Sequence, residues 1–501
     1  MTFFDEDDIL FYEFILITGG TEMKNVLKKT LSVVLACLML TGGAAVASAA
    51  DNTVKNVSCT MYGDGATGRG FCWFTTGKAG SDLQIVKTSE FNGSFENAKI
   101  YSGTENLYRK QYSHQVAVTE LEAGTAYTYR VGDAAANVWS DAKSFVTDDR
   151  DDAFKFITIA DVQASSNENF AHAALTLKGA LDTMPDAEFT INLGDYVNDN
   201  TNEEWDWYFS NFAFANDKIT QVPVAGNHDG NITNKFNTNC FKNTFCLDQS
   251  KNESIEGVYY SFDYGNAHFA VLNTNDMYPM SQAQRNWLIN DMSNSNARWK
   301  IVLAHRSFYS AGKNINKPDT IIMRNVLLPI IDKLGIDMVY AGHDHMYLRT
   351  NQVKGDALVE NVTYVDEIYN GEKIMFAVNP DGTVYTLPST AGTKRYTVHE
   401  DAIPPVLDVA AVAETTRDRG GCFCTTEING DKLIYKAYIV DDDTQEISLI
   451  DTYAIKKTEV TETEGTDLPD GLGITFAMFF VNFVTALFGM FKSYFGMLLH
   501  K

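Results

Sequence analysis

Phe156-Ile157-Thr158-Ile159-Ala160-Asp161 reads as a buried β-strand that ends on a carboxylate. The same pattern recurs down the chain. Phe189-Thr190-Ile191-Asn192-Leu193 runs into Gly194-Asp195, and Val222-Pro223-Val224-Ala225 runs into Gly226-Asn227-His228-Asp229. The stretch 299–304 leads into His305, and 338–341 into Gly342-His343-Asp344-His345. Helical text separates some of these runs, around 170–181 and 321–334. Strands alternating with helices predict an α/β core. Open α/β sheets gather the loops beyond the carboxyl ends of their strands into one site. Five polar strand ends therefore predict one cluster.

The residue types in that cluster suit a pair of metal ions. Two cations ~3.5–4 Å apart need about four to six donors each, mostly His and carboxylate, with one donor shared. The sequence supplies Asp161 and His345 for one ion, Asn227, His305 and His343 for the other, and Asp195 as the bridge. Asparagine is an unusual ligand, but its side-chain carbonyl oxygen suits a hard cation. A solvent hydroxide between two such ions would be acidified by both charges and aimed at phosphorus for in-line displacement. His228 is left to protonate the leaving oxygen, and Asp229 is expected behind it, holding the imidazole in one tautomer.

Asp161, Gly194-Asp195, Gly226-Asn227-His228, His305 and Gly342-His343-Asp344-His345 together resemble the five blocks of the calcineurin-like metallophosphoesterase superfamily. With the β-rich module that precedes them, the chain resembles a bacterial purple acid phosphatase-like protein over about 54–455. The resemblance implies a phosphoester hydrolase with the metal roles given above. Family members of the purple type carry Tyr three residues after the bridging Asp, where it binds ferric iron. Here that position is Asn198, while Tyr196 follows Asp195 directly. The metals are thus open between Fe, Mn and Zn. Gln163 stands where other members of the superfamily have a histidine, as a weak ligand or a supporting donor.

Around this core the chain is multidomain. Residues 50–148 read as an all-β sandwich of the fibronectin type III kind, with short alternating runs and a tyrosine corner in 121–131. The α/β phosphoesterase core spans 153–455, as two packed sheets flanked by helices. The stretches 351–397 and 424–455 are expected to complete the second sheet, with a hairpin signal at Asn379-Pro380-Asp381-Gly382. His268 and His172 read as strand and helix residues, and Arg306, Tyr309 and Lys394 as packing or solvated residues.

The ends carry addressing signals. Residues 23–49 have the basic, apolar and Ala47-Ser48-Ala49 regions of a secretory signal peptide, behind an acidic stretch, 1–22, read as an untranslated extension. Residues 456–470 form a Thr- and Glu-rich linker. The apolar 472–499 contains an almost uninterrupted run at 474–491, broken by Asn482, that would be about 27 Å long as a helix, close to the hydrocarbon thickness of a bilayer. A spanning anchor, an interfacial helix and a buried helix are the three readings, with the protein on the outer face of the cell membrane under the first. Export permits disulfides among Cys59, Cys72, Cys240, Cys246, Cys422 and Cys424, with Cys59 and Cys72 on neighbouring strands as the best pair.

A net charge of −25 gives no basic surface for nucleic acid. Three activities fit: an acid phosphatase-like phosphomonoesterase, a phosphodiesterase or nucleotidase on the same site, and a surface binding or adhesion protein that keeps the fold without turnover. The intact ligand set, His228 included, favours the enzyme over the last.

Overall fold

The computed structural model describes residues 52–458 apart from 231–236, 255, 277–279, 313, 315–316, 399–409 and 415. The expected signal peptide, the extension before it, most of the linker and the apolar C-terminal segment lie outside the described residues. Among the described residues no helix is long and apolar enough to cross a membrane.

The core is built on three parallel strands, Ala153–Ile159, Phe189–Asn192 and Thr220–Pro223, paired in that order. A second sheet carries Ala267–Val271, Trp299–Leu303 and Met338–Tyr340, also parallel. The sheets meet face to face through aromatic rings. Phe156 lies 5.7 Å from Phe269 and 6.0 Å from Tyr340, and Phe189 lies 5.8 Å from Phe269. Burying each such ring contributes about 1.5–3 kcal/mol. Period-2 alternation sorts the faces: Ile301 and Leu303 turn toward the first sheet, while Val302 turns toward the helices behind. Those helices are Gln282–Asn294 and Pro318–Leu334, the latter closed by Gly335 at φ 63°. Helix Asn167–Thr183 covers the first sheet, capped by the Ser166 side chain, with Phe170, Ala173, Ala174, Leu177 and Ala180 on its buried face.

Two expectations about strand order are corrected. The late strands Gly420–Asn429, Lys432–Asp441 and Ile447–Lys456 extend the first sheet rather than the second, because Gly420–Asn429 pairs antiparallel with Ala153–Ile159. Val384–Pro388 and Tyr347–Thr350 do join the second. The turn at Asn379 closes no hairpin. It carries the chain from Glu372–Val378 in one sheet to Val384–Pro388 in the other.

The N-terminal strands form the expected sandwich, but one of its two sheets is continuous with the core. Lys55–Met61 pairs in parallel with Thr220–Pro223, making a single sheet of twelve strands. Arg69, fully buried, bolts the junction: its guanidinium donates to the carbonyls of Gly65, Gly68 and Val146 and to Thr220 Oγ1. Tyr127 Oη accepts the Glu122 N–H at 3.0 Å, which is the corner expected at the entry to strand Ala126–Asp133. The proposed Cys59–Cys72 disulfide is absent. Cys59 pairs with Phe71 and packs in the sandwich core, whereas Cys72 pairs with Ser58 and faces the outer side with Cys246. Neighbouring strands are not enough when the residues differ in parity. All six described cysteines are free and buried.

His268 is a buried strand residue, as expected, yet it is also an electrostatic pin. Its ring bridges Asp263 Oδ1 at 2.7 Å and Asp291 Oδ2 at 2.8 Å, tying the Tyr260–Tyr264 hairpin to helix Gln282–Asn294. Burial alone would lower its pKa, but the two carboxylates outweigh that and raise it from 6.5 to about 9. A raised folded-state pKa means stability that is complete below about 6.5 and lost as pH rises through about 9. The contribution is at most ~3 kcal/mol. Urea unfolding at about pH 6 and about pH 10 should show this loss in the native chain and a much flatter profile in His268→Gln. Identical pH profiles in the two proteins would remove the pin from the account.

Candidate metal centre

Three of the five strand ends deliver their side chains through left-handed backbone. Asp161 and Asp195 both have φ 51° and His343 has φ 77°. Such backbone costs roughly 1–2 kcal/mol per non-glycine residue. Local hydrogen bonds compensate: the Asp161 carboxylate accepts the His343 N–H at 2.9 Å, and Asp161 N–H donates to Gly194 O at 3.0 Å. The neighbouring glycines are there for space. A Cβ on Gly226 would stand 2.0 Å from Asp195 N, and one on Gly342 would stand 2.7 Å from Asp161 Oδ2.

All six predicted ligands fall in one place. Ligand atoms of Asp195, His305 and His343 lie within 4.8 Å of one another. His305 Nε2 faces three donor atoms at once: Asn227 Oδ1 at 3.0 Å, Asp195 Oδ1 at 3.3 Å and His343 Nδ1 at 3.3 Å. His345 Nε2 lies 3.4 Å from Asp161 Oδ1. Lone pairs converge on common points, which suits cations between them. Gln163 adds a buried Oε1 with no hydrogen-bond partner, the kind of orphaned acceptor a nearby ion would satisfy. The donor set therefore fits two ions. His305 donates from Nδ1 to Leu193 O at 2.9 Å, and His345 donates from Nδ1 to the Lys394 carbonyl, so both present Nε2 inward.

Charge is tightly coupled here. Burial opposes ionisation of Asp195, but His305, His228 and His343 hold its carboxyl well below the usual carboxylate range. Burial likewise disfavours the charged form of His305, and Asp195 reverses that, raising its pKa to about 9. His343 is pushed well below its ordinary value by burial, by His305 and by Arg306. Before a cation binds, a proton on His305 balances the central carboxylate, and an ion bound at Nε2 would take that proton's place.

The two residues assigned to acid catalysis behave differently. His228 sits against the Asp195 carboxylate, its backbone N–H donating to Asp195 Oδ1 at 2.7 Å, and its ring Nδ1 bonds the Asn198 carbonyl at 2.5 Å. Asp229 does not stand behind that ring, and its expected role is corrected. Its buried carboxylate accepts the backbone N–H groups of Gly226 at 2.8 Å, Asp195 at 2.9 Å and Tyr196 at 2.8 Å. Three orphaned loop amides outcompete a half-exposed imidazole for it. Asp229 thus fastens the loop of Asp195 to the loop of Asn227. Asn198 supplies through its backbone the orienting acceptor that sequence reading gave to Asp229.

Tyr196 packs into a cluster of Trp205, Tyr208, Phe241 and Phe245. Tyr309 is a packing residue that donates to Asp356 at 2.7 Å. Tyr396, missed in sequence, stacks on His345 with ring centroids 4.5 Å apart and planes 11° apart. Nothing in Lys394-Arg395-Tyr396 carries a strand-end signature that would have revealed it.

Residues 154–347 match the family described as calcineurin-like phosphoesterase. Over those residues the chain carries a calcineurin-like phosphoesterase domain. Residues 54–147 match the N-terminal domain of purple acid phosphatases. Purple acid phosphatase 15 of Arabidopsis thaliana is 22% identical over 328 residues, covering 60% of this chain and 57% of the relative. Mouse acid phosphatase type 7 is 22% identical over 355 residues, covering 64% and 74%. The chain thus spans less than two thirds of that Arabidopsis relative. Purple acid phosphatase PPD1 from yellow lupin shares the fold, with a TM-score of 0.64 at 15% identity over 82% of this chain and 75% of that one. The phosphoesterase domain and the module before it thus occur in the same order as in purple acid phosphatases.

Proposed function

We propose that the chain is a metal-dependent phosphoester hydrolase, acting first on phosphomonoesters. The observation that carries this reading is the convergence of Asp195, His305 and His343 within 4.8 Å, with His228 beside the shared carboxylate. Asp161, Gln163 and His345 would hold one ion and Asn227, His305 and His343 the other, with Asp195 common to both. A bound pair of such ions supplies Lewis acidity toward phosphoryl oxygens and a water acidic enough to act as nucleophile. The protein supplies the remainder. Asn198 fixes the His228 ring through Nδ1, so Nε2 is the atom that delivers a proton to the leaving oxygen. Asp229 holds the two ligand loops in register. A panel of mono- and diesters assayed after reconstitution with Fe, Mn or Zn tests the proposal. Turnover of monoesters above diesters is expected, and no turnover of any ester with any metal would overturn it.

Purple colour is not expected. With Asn198 in place of the tyrosine and Tyr196 buried among aromatic rings, ferric-loaded protein should lack an intense tyrosinate band in visible absorption. A band that disappears in Tyr196→Phe would show that this ring reaches iron.

Export and tethering through the apolar 474–491 are part of the same proposal, motivated by the polar linker that precedes that run. A chain ended at Thr458 should be soluble and fully active, while the full chain partitions with membranes. Equal partitioning of the two would remove the tether.

A further inference from the structure

The segment 389–396 follows strand Val384–Pro388 and lies beyond the family-matched 154–347, yet it grips Asp161 and His345, two of the residues assigned above to one ion. At the Asp161 end, Ala391 N–H donates to Ala160 O at 2.8 Å and Thr390 Oγ1 donates to the Asp161 carbonyl. The contact is flush, since a Cβ on Gly392 would stand 2.2 Å from Val162 O. At the His345 end, the Lys394 carbonyl accepts from Nδ1, Tyr396 N–H donates to His345 O at 2.9 Å, and the Tyr396 ring lies parallel over the imidazole at 4.5 Å.

The residue between these two contacts is anchored from outside. The Arg395 side chain, 4% exposed, makes a two-point pair with Asp442, Nη2 to Oδ1 at 2.9 Å. His172 on helix Asn167–Thr183 meets the same Oδ1 at 2.8 Å. His305, by contrast, is oriented from Leu193 O and meets Asn227 Oδ1 through Nε2.

We propose that 390–396 is a clamp selective for the ion held by Asp161 and His345, with Arg395, Tyr396 and Asp442 as its positioning residues. The inference rests on the two-ion reading of the site. The Lys394 carbonyl fixes the tautomer that leaves the His345 lone pair on Nε2, the stacked Tyr396 fixes the plane of the ring, and Asp442 holds Arg395 so that both stay in place. A metal ligand whose orienting partners are removed binds its ion roughly 10–100-fold more weakly. The other ion keeps its own supports and its affinity.

The test is metal titration of the full chain, stripped and refilled with Zn²⁺ or Mn²⁺, with affinity as the readout rather than turnover. Tyr396→Ala and Asp442→Ala should each weaken one of the two binding constants by about 10–100-fold and leave the other unchanged. Tyr396→Phe keeps the stack and should match the native chain. Should Asp442→Ala not fold, as judged by circular dichroism, the Tyr396 pair decides alone. Two unaltered constants in Tyr396→Ala, equal weakening of both, or a Phe variant as weak as the Ala variant would overturn the clamp. A native chain that binds no pair of ions would overturn the two-ion reading and the clamp with it.

Discussion

Asp195→Asn should cut phosphoester turnover by on the order of 10³-fold and lower bound metal from two ions per chain toward one. Asp195 is buried to 2% exposure and its Oδ1 lies 3.3 Å from His305 Nε2. Asn preserves shape and still accepts the His228 N–H, but it removes the one anionic donor available to both ions. Removing one partner from a buried charge pair costs about 3–5 kcal/mol, and each ~1.4 kcal/mol is tenfold in rate or affinity. The free protein should also lose the cause of the raised His305 pKa, since Asp195 is its main support. Elemental analysis and kinetics on the same sample check this. Two ions retained with turnover within about tenfold of native would show that Asp195 is no bridge.

His228→Ala should keep both ions and lose about 10²–10⁴-fold on esters with poor leaving groups. Nitrophenyl phosphate needs little protonation of its leaving oxygen, so its loss should be clearly smaller. Asp229→Asn should behave unlike His228→Ala. An amide in place of the carboxylate keeps one acceptor oxygen, so its NH2 is set against either the Tyr196 N–H or those of Gly226 and Asp195. Its losses should therefore fall equally on both ester types, together with weaker metal binding and lower stability. Equal losses for His228→Ala on both esters would assign it to positioning instead. Loss of metal in that variant would make it a ligand.

The strand ends were legible because burial on both faces writes short, mostly apolar runs, and a polar residue follows each run at once or after a single glycine. That rule located Asp161, Asp195, Asn227, His305 and His343 without any knowledge of pairing. Sheet membership was not legible: Gly420–Asn429 and Val384–Pro388 look alike in sequence, and only long-range pairing puts them in different sheets. Parity defeated the cysteine reading, since one residue of register decides which face Cys72 occupies. The role of Asp229 was misread because adjacency in sequence suggested a partner for His228, whereas the carboxylate serves three backbone amides. Backbone acceptors such as Asn198 O and Lys394 O leave no trace in residue type at all.

The shared twelve-strand sheet has an evolutionary consequence. A module linked like a bead on a string is gained, lost or exchanged without disturbing its neighbour, but Lys55–Met61 seals the flank of Thr220–Pro223. Deleting it would uncover a strand edge of the kind that recruits other chains, and that strand leads directly into Gly226 and Asn227. The module and the α/β core are therefore expected to travel together through descent, with substitutions at Arg69 and Thr220 coupled through their shared hydrogen bond.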